Sequence, residues 1–97
     1  MIALVIRPAA AADLQDAFDW YEKQQAGLGV EFREAVREKL RDIAANPMQY
    51  QVMHRDTRRA LLRRFPYGLY FRIYPSAVVV IACMHGRRNP RRWKARP

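Results

Sequence analysis

The sequence predicts an α+β domain of order β-α-α-β-β-β, with a helical hairpin packed on one face of a small, mostly antiparallel sheet. Three observations predict it. Apolar residues recur at helical spacing across residues 9–46, with one break at Gly27-Leu28-Gly29. Beyond Asn46-Pro47 the spacing changes to strand-like alternation. The eight-residue apolar run Ala77–Met84 then has the composition of a strand buried on both faces.

The elements follow in order. Residues 2–6 (Ile-Ala-Leu-Val-Ile) read as a short strand that Arg7-Pro8 ends. Pro8 suits the first turn of a helix, where its missing N–H costs nothing. A helix over about residues 9–25 buries Leu14, Ala17, Phe18 and Tyr21. Trp20 lies off that stripe by about 100° and either fills the hairpin's edge or marks an apolar patch for a partner. Gly27 fits the position just past a helix end. A second helix, about 28–46, carries the stripe Leu28, Phe32, Ala35, Val36, Leu40 and Ile43. Strands are predicted at 59–65, 67–74 and 77–84. Tyr67, Leu69, Phe71 and Ile73 share one face of the second of these, and Tyr70, Arg72 and Tyr74 the other. Pro75-Ser76 makes a tight turn. The basic tail 87–97 is expected to dock through Trp93 and to be otherwise loose.

With 97 residues, 51% of them apolar, the chain has the core of one small domain. Its longest apolar run is far short of the roughly 20 residues that span a bilayer, and its first residues lack a signal peptide's basic region. Cys83 is the sole cysteine, so no intrachain disulfide forms. These features predict a cytoplasmic protein without a membrane partner. Two histidines and one cysteine fall at no ligand spacing, and no phosphate loop or dinucleotide motif is present, so neither a metal nor a small-molecule cofactor is expected.

The charge is divided. Residues 1–50 hold six basic and eight acidic side chains, whereas residues 51–97 hold twelve basic ones and a single acid, Asp56. Nearly all the bases are arginines, whose planar fork suits phosphate and carboxylate. The basic half interleaves Arg58, Arg59, Arg63, Arg64, Tyr70, Arg72, Tyr74, His85, Arg87, Arg88, Arg91, Arg92 and Trp93. If the sheet face bearing Tyr70, Arg72 and Tyr74 is open, it is a platform for phosphates or bases. In the alternative, the tyrosines pack under a loop and Arg72 pairs with Asp56. His85 is a candidate proton carrier. Cys83, inside the apolar run, reads as an inert small residue.

The residues together resemble the RelE/ParE superfamily of type II toxin–antitoxin toxins, and its ParE-like branch in particular. The resemblance rests on Arg7-Pro8 with Ala11–Leu14, Trp20-Tyr21, Gly27-Leu28-Gly29 with Phe32, and Asn46-Pro47. It continues through Arg59–Gly68, Tyr70 and Arg72, and ends in His85–Pro90 and Trp93. It implies a bacterial growth inhibitor neutralised by a cognate antitoxin protein. RelE-like members are ribosome-dependent mRNA endoribonucleases; ParE-like members inhibit DNA gyrase. RNA cleavage needs a base, an acid and cations at one phosphate. This chain has no lysine between Lys39 and Lys94, no Glu after Glu38 and no Tyr after Tyr74, which favours gyrase. Arg64, Arg72 and His85 are the catalytic candidates in the nuclease alternative. Target or phosphate binding is expected at Arg58, Arg64, Arg72, Arg87, Arg88 and Trp93, and antitoxin binding at Trp20, Tyr70 and Arg72. A second alternative is a non-toxic basic module that binds nucleic acid or protein.

Overall fold

The computed structural model describes residues 3–86 and 90–97. Ile2, expected in the first strand, and the target-binding candidates Arg87 and Arg88 lie outside the described residues. The elements are β1 (Ala3–Ile6), α1 (Pro8–Gln24), α2 (Leu28–Ala45), a 3-10 turn (Pro47–Gln49), β2 (Val52–His54), β3 (Thr57–Leu61), β4 (Tyr67–Ile73), β5 (Ala77–His85) and α3 (Pro90–Lys94). The sheet has five strands in the order β1-β5-β4-β3-β2. Among the described residues only the β1–β5 pair is parallel. The fold is thus the α+β hairpin-on-sheet arrangement that the periodicities predict.

Two long helices on a sheet require a tight helical turn, and glycines permit it. Gly27 takes φ 91°, a left-handed value that side chains disfavour. Gly29 lets α2 approach α1: a Cβ there would sit 2.7 Å from the Phe18 carbonyl oxygen. The first N–H groups of a helix lack internal partners. Here Glu22 of α1 supplies them, accepting from Gly29 N at 2.8 Å and Gly27 N at 3.2 Å. Tyr21 then meets Phe32 and Phe65 with ring centres 5.3 and 4.9 Å apart. These rings, with Val36, Ile43, Leu69, Phe71, Val78 and Val80, form the core between hairpin and sheet.

The structure corrects three expectations. The strand predicted over 59–65 is the second half of a hairpin, β2–β3, that turns at Arg55-Asp56. Arg55 has φ 52° without being glycine, and β2 is a three-residue edge strand with Val52 exposed, so neither turn nor strand carries its usual signal. β3 ends at Leu61, and residues 62–66 form a turn that buries Leu62 and Phe65.

The second correction is to the open sheet face. Tyr70, Ile81, Ala82, Met84 and Trp93 form a second buried cluster on the side away from the hairpin, because α3 lies across it. A bulge makes this possible. Tyr70 pairs with Ala82 but Phe71 with Val80, so Ile81 has no opposite residue. The extra residue reverses the alternation. Val78, Val80 and Cys83 therefore face the hairpin, while Ile81, Ala82 and Met84 face α3.

The third correction is to the tail. It docks through Trp93, as expected, but it is not loose beyond it. Arg96 grips Asp13 of α1 through Nη1 at 2.5 Å and Nη2 at 3.0 Å.

Candidate functional site

The basic half folds into two separate places. The first is the seam where the tail crosses the sheet. Arg72, on β4, donates from Nε to Thr57 Oγ1 at 3.1 Å and from Nη2 to the Arg96 carbonyl oxygen at 2.9 Å. Its Nη1 donates to the Pro97 main-chain oxygen, which Arg7 Nη1 also reaches at 2.5 Å. Asp56 Oδ1 stands 3.6 Å from Arg72 Nε. All three guanidinium nitrogens are thus spent on protein acceptors. Trp93 stacks on Tyr70 with ring centres 4.4 Å apart and planes inclined by 21°. Tyr70 is 1% exposed and Trp93 4%, so neither presents a ring to a base or a partner in this arrangement.

The second place is the edge formed by β3, the 62–66 turn and the end of β5. Arg59, Arg63, Arg64 and His85 line a pocket of about 490 Å³ there. Arg64 is held by Glu31 of α2 at 2.5 Å and lies 5.4 Å from the Phe65 ring. His85 packs edge-on to Tyr67 at 5.7 Å. Arg58 belongs to neither place, because its Nη1 donates to the Tyr50 carbonyl oxygen at 2.7 Å and so ties β3 to the turn after α2. The catalytic candidates are therefore divided: Arg64 and His85 share the edge, and Arg72 sits in the tail seam.

Trp20 is the accessible candidate on the hairpin. It stands on Tyr21 edge-to-face at 5.1 Å and remains 55% exposed. It borders a groove of about 580 Å³ between α1 and the end of β5, with Asp16, Tyr67, His85 and Arg92 on the other walls. An exposed aromatic beside a polar-rimmed groove is a usual anchor for a partner side chain.

Sequence reasoning missed the Asp13–Arg96 pair, and it named Arg59 and Arg63 among the basic and aromatic residues without placing them at one edge. Asp13 occupies a helix position like its neighbours Asp16 and Asp19, and Arg96 is one arginine among many, so no local signal marks the pair. Among the described residues no group of His, Cys, Asp and Glu is arranged to hold a metal ion, and no helix is long and apolar enough to cross a membrane. Burial, aided by the nearby Asp13 carboxylate, pushes the Cys83 thiol up to about 12. The thiolate is the reactive form, so Cys83 should resist alkylation at pH 8 in the folded protein and react at once in denaturant. Mass spectrometry after brief iodoacetamide treatment checks this.

A helical hairpin over one sheet face, a tail helix over the other and an arginine-lined edge define a small basic α+β domain. Its fold is similar to that of a solved chain described as the chromosomal ParDE TA system from P. aeruginosa, with a TM-score of 0.79 and 19% identity, covering 88% of this chain and 96% of that one. Residues 4–90 match the model of the ParE toxin of the type II toxin-antitoxin system parDE, and the chain belongs to that family. No curated protein matches it.

Proposed function

We propose that the chain is a cytoplasmic growth-inhibiting toxin that acts on DNA gyrase and is neutralised by a cognate antitoxin protein. The observation that carries the choice of target is the lack of a second proton carrier. Metal-free RNA cleavage needs a base, an acid and cations around one phosphate. Arg64 and His85 share a pocket with Arg59 and Arg63, but arginines apart His85 is the sole acid–base side chain among its lining residues, and Arg72 is tied to the tail's main chain in another pocket. This arrangement favours gyrase inhibition over a ribosome-dependent nuclease. Membership of the ParE toxin family agrees with that reading.

Purified protein added to gyrase and relaxed plasmid should block supercoiling. The same protein added to translating ribosomes should leave the message whole. Cleaved message with supercoiling intact would replace this reading by the nuclease one. Neither effect would leave a binding module.

Trp20 is the residue we assign to antitoxin contact. A disordered antitoxin segment that folds on binding would bury this ring and set acids near the arginines. Trp20→Ala should weaken antitoxin binding by about tenfold or more. It should change stability by less than about 1 kcal/mol, because the ring is mostly in solvent. Titration calorimetry with the partner, beside a thermal melt, separates the two effects. Unchanged affinity would move the antitoxin elsewhere.

A further inference from the structure

We propose that the pocket between the end of β3, the 62–66 turn and Gly86 is a phosphate site for the backbone of duplex DNA. Three arginines line it, Arg59, Arg63 and Arg64, and no carboxylate-bearing residue does. Among the described residues neither Arg59 nor Arg63 has a carboxylate partner. Arg64 is braced from behind by Glu31 and by the Phe65 ring, which fixes its direction. The stem of Arg59 lies flat over Gly68, where a Cβ would come within 3.2 Å of its Cγ. The cluster is thus positioned by the fold and is short of negative charge. Arginine forks match phosphate oxygens two at a time, which a lysine cluster would not.

Two observations choose the occupant. Binding of single strands relies on exposed rings that stack on bases. The rings that line this pocket are spent: Phe65 is buried, and His85 packs edge-on against Tyr67. An acidic peptide usually gains its hold by adding a strand to a free sheet edge. β3 offers too little: β4 covers one side throughout, and β2 with Gln51 covers the other as far as Arg59, which leaves only Ala60 and Leu61, too few for an added strand. The exposed feature that remains is a row of cations beside the half-exposed Leu61, which suits a sugar-phosphate backbone read without regard to sequence.

The inference goes beyond the gyrase reading and is tested without gyrase, so either can fail alone. The full chain is titrated into a fluorescein-labelled DNA duplex of mixed sequence, and anisotropy is followed at rising salt. Wild type should bind, with affinity falling linearly on a log–log salt plot. The double variant R59S/R63S should lose about tenfold or more in affinity at low salt, and its salt slope should be shallower by about 1.8, two phosphate contacts' worth. Arg63 is exposed, so the single variant Arg63→Glu keeps the fold and should weaken binding by itself. R33S/R37S, on the outer side of α2, should bind as wild type. The proposal is overturned if wild type does not bind duplex, if folded Arg63→Glu binds as wild type, or if single-stranded DNA or a glutamate-rich peptide binds more tightly than the duplex.

Discussion

Trp93→Ala should destabilise the protein by about 3–5 kcal/mol, the usual cost of removing a buried large aromatic. For a domain of this length that lowers the melting temperature by about 15 °C or more. The size follows from what the ring does. α3 is a single short helix of five residues and cannot hold its shape alone. Trp93 is its one buried side chain, and it covers Tyr70, Ile81, Ala82 and Met84. Without it those residues face water and the stacking on Tyr70 is lost. Trp93→Phe keeps a ring in the same place and should recover much of the loss. A melt monitored by circular dichroism measures both. A loss below about 1 kcal/mol in Trp93→Ala would mean that α3 does not cover the sheet in solution, and the face bearing Tyr70 would return as an open platform.

That face shows where reading the sequence succeeds and where it stops. The helices were legible because their stripes repeat over four or five turns and glycines mark the break between them. The central strand was legible because eight apolar residues in a row leave little else. Both signals are local. The covering of the second face is not, since it depends on a tail helix meeting β4 about 20 residues earlier in the chain. The bulge at Ile81 is also invisible in an all-apolar run, because any residue of that run is compatible with either face. β2 was missed for a different reason. A three-residue edge strand with a turn of Arg55-Asp56 carries neither alternation nor glycine. The candidate site inherits these limits. Arg64 and His85 do line one pocket, but Arg72, which the nuclease alternative sets beside them, lies in the tail seam. That Arg72 is spent is decided by acceptors that lie 15 to 25 residues away, the Thr57 hydroxyl and the main-chain oxygens of Arg96 and Pro97.

The second large effect should come from Asp13. The outer edge of β5 is covered by β1 only as far as Val80, whose carbonyl oxygen accepts from Arg7 N at 3.0 Å. Beyond that point the strand's polar groups need other partners, since a buried N–H or C=O left alone is costly. Asp13 accepts from Cys83 N at 3.0 Å, and Arg96 Nη1 donates to the Ile81 carbonyl oxygen at 2.9 Å. The two side chains close on each other in a two-toothed pair, so together they stand in for the missing strand. Their side chains are only 10% and 19% exposed, which separates this pair from the surface ion pairs that contribute little. The hydrogen bond that Arg96 donates to Asp13 raises the Arg96 pKa by more than burial lowers it. A cation whose pKa is raised on folding gives stability that is complete below its unfolded value. For arginine that covers the whole neutral range, so Arg96 itself adds no pH dependence there. Asp13→Ala should therefore cost about 3 kcal/mol, because it strands a half-buried cation and leaves Cys83 N–H unmet. Arg96→Ala should cost less, since Asp13 keeps Cys83 N–H and can take water. The double variant should be better than the sum of the two by about 1–3 kcal/mol, as expected of directly coupled groups. Urea unfolding of the four proteins closes the cycle. Additive losses would mean that Asp13 and Arg96 act apart, and the tail would then be held by Trp93 and Arg72 without them.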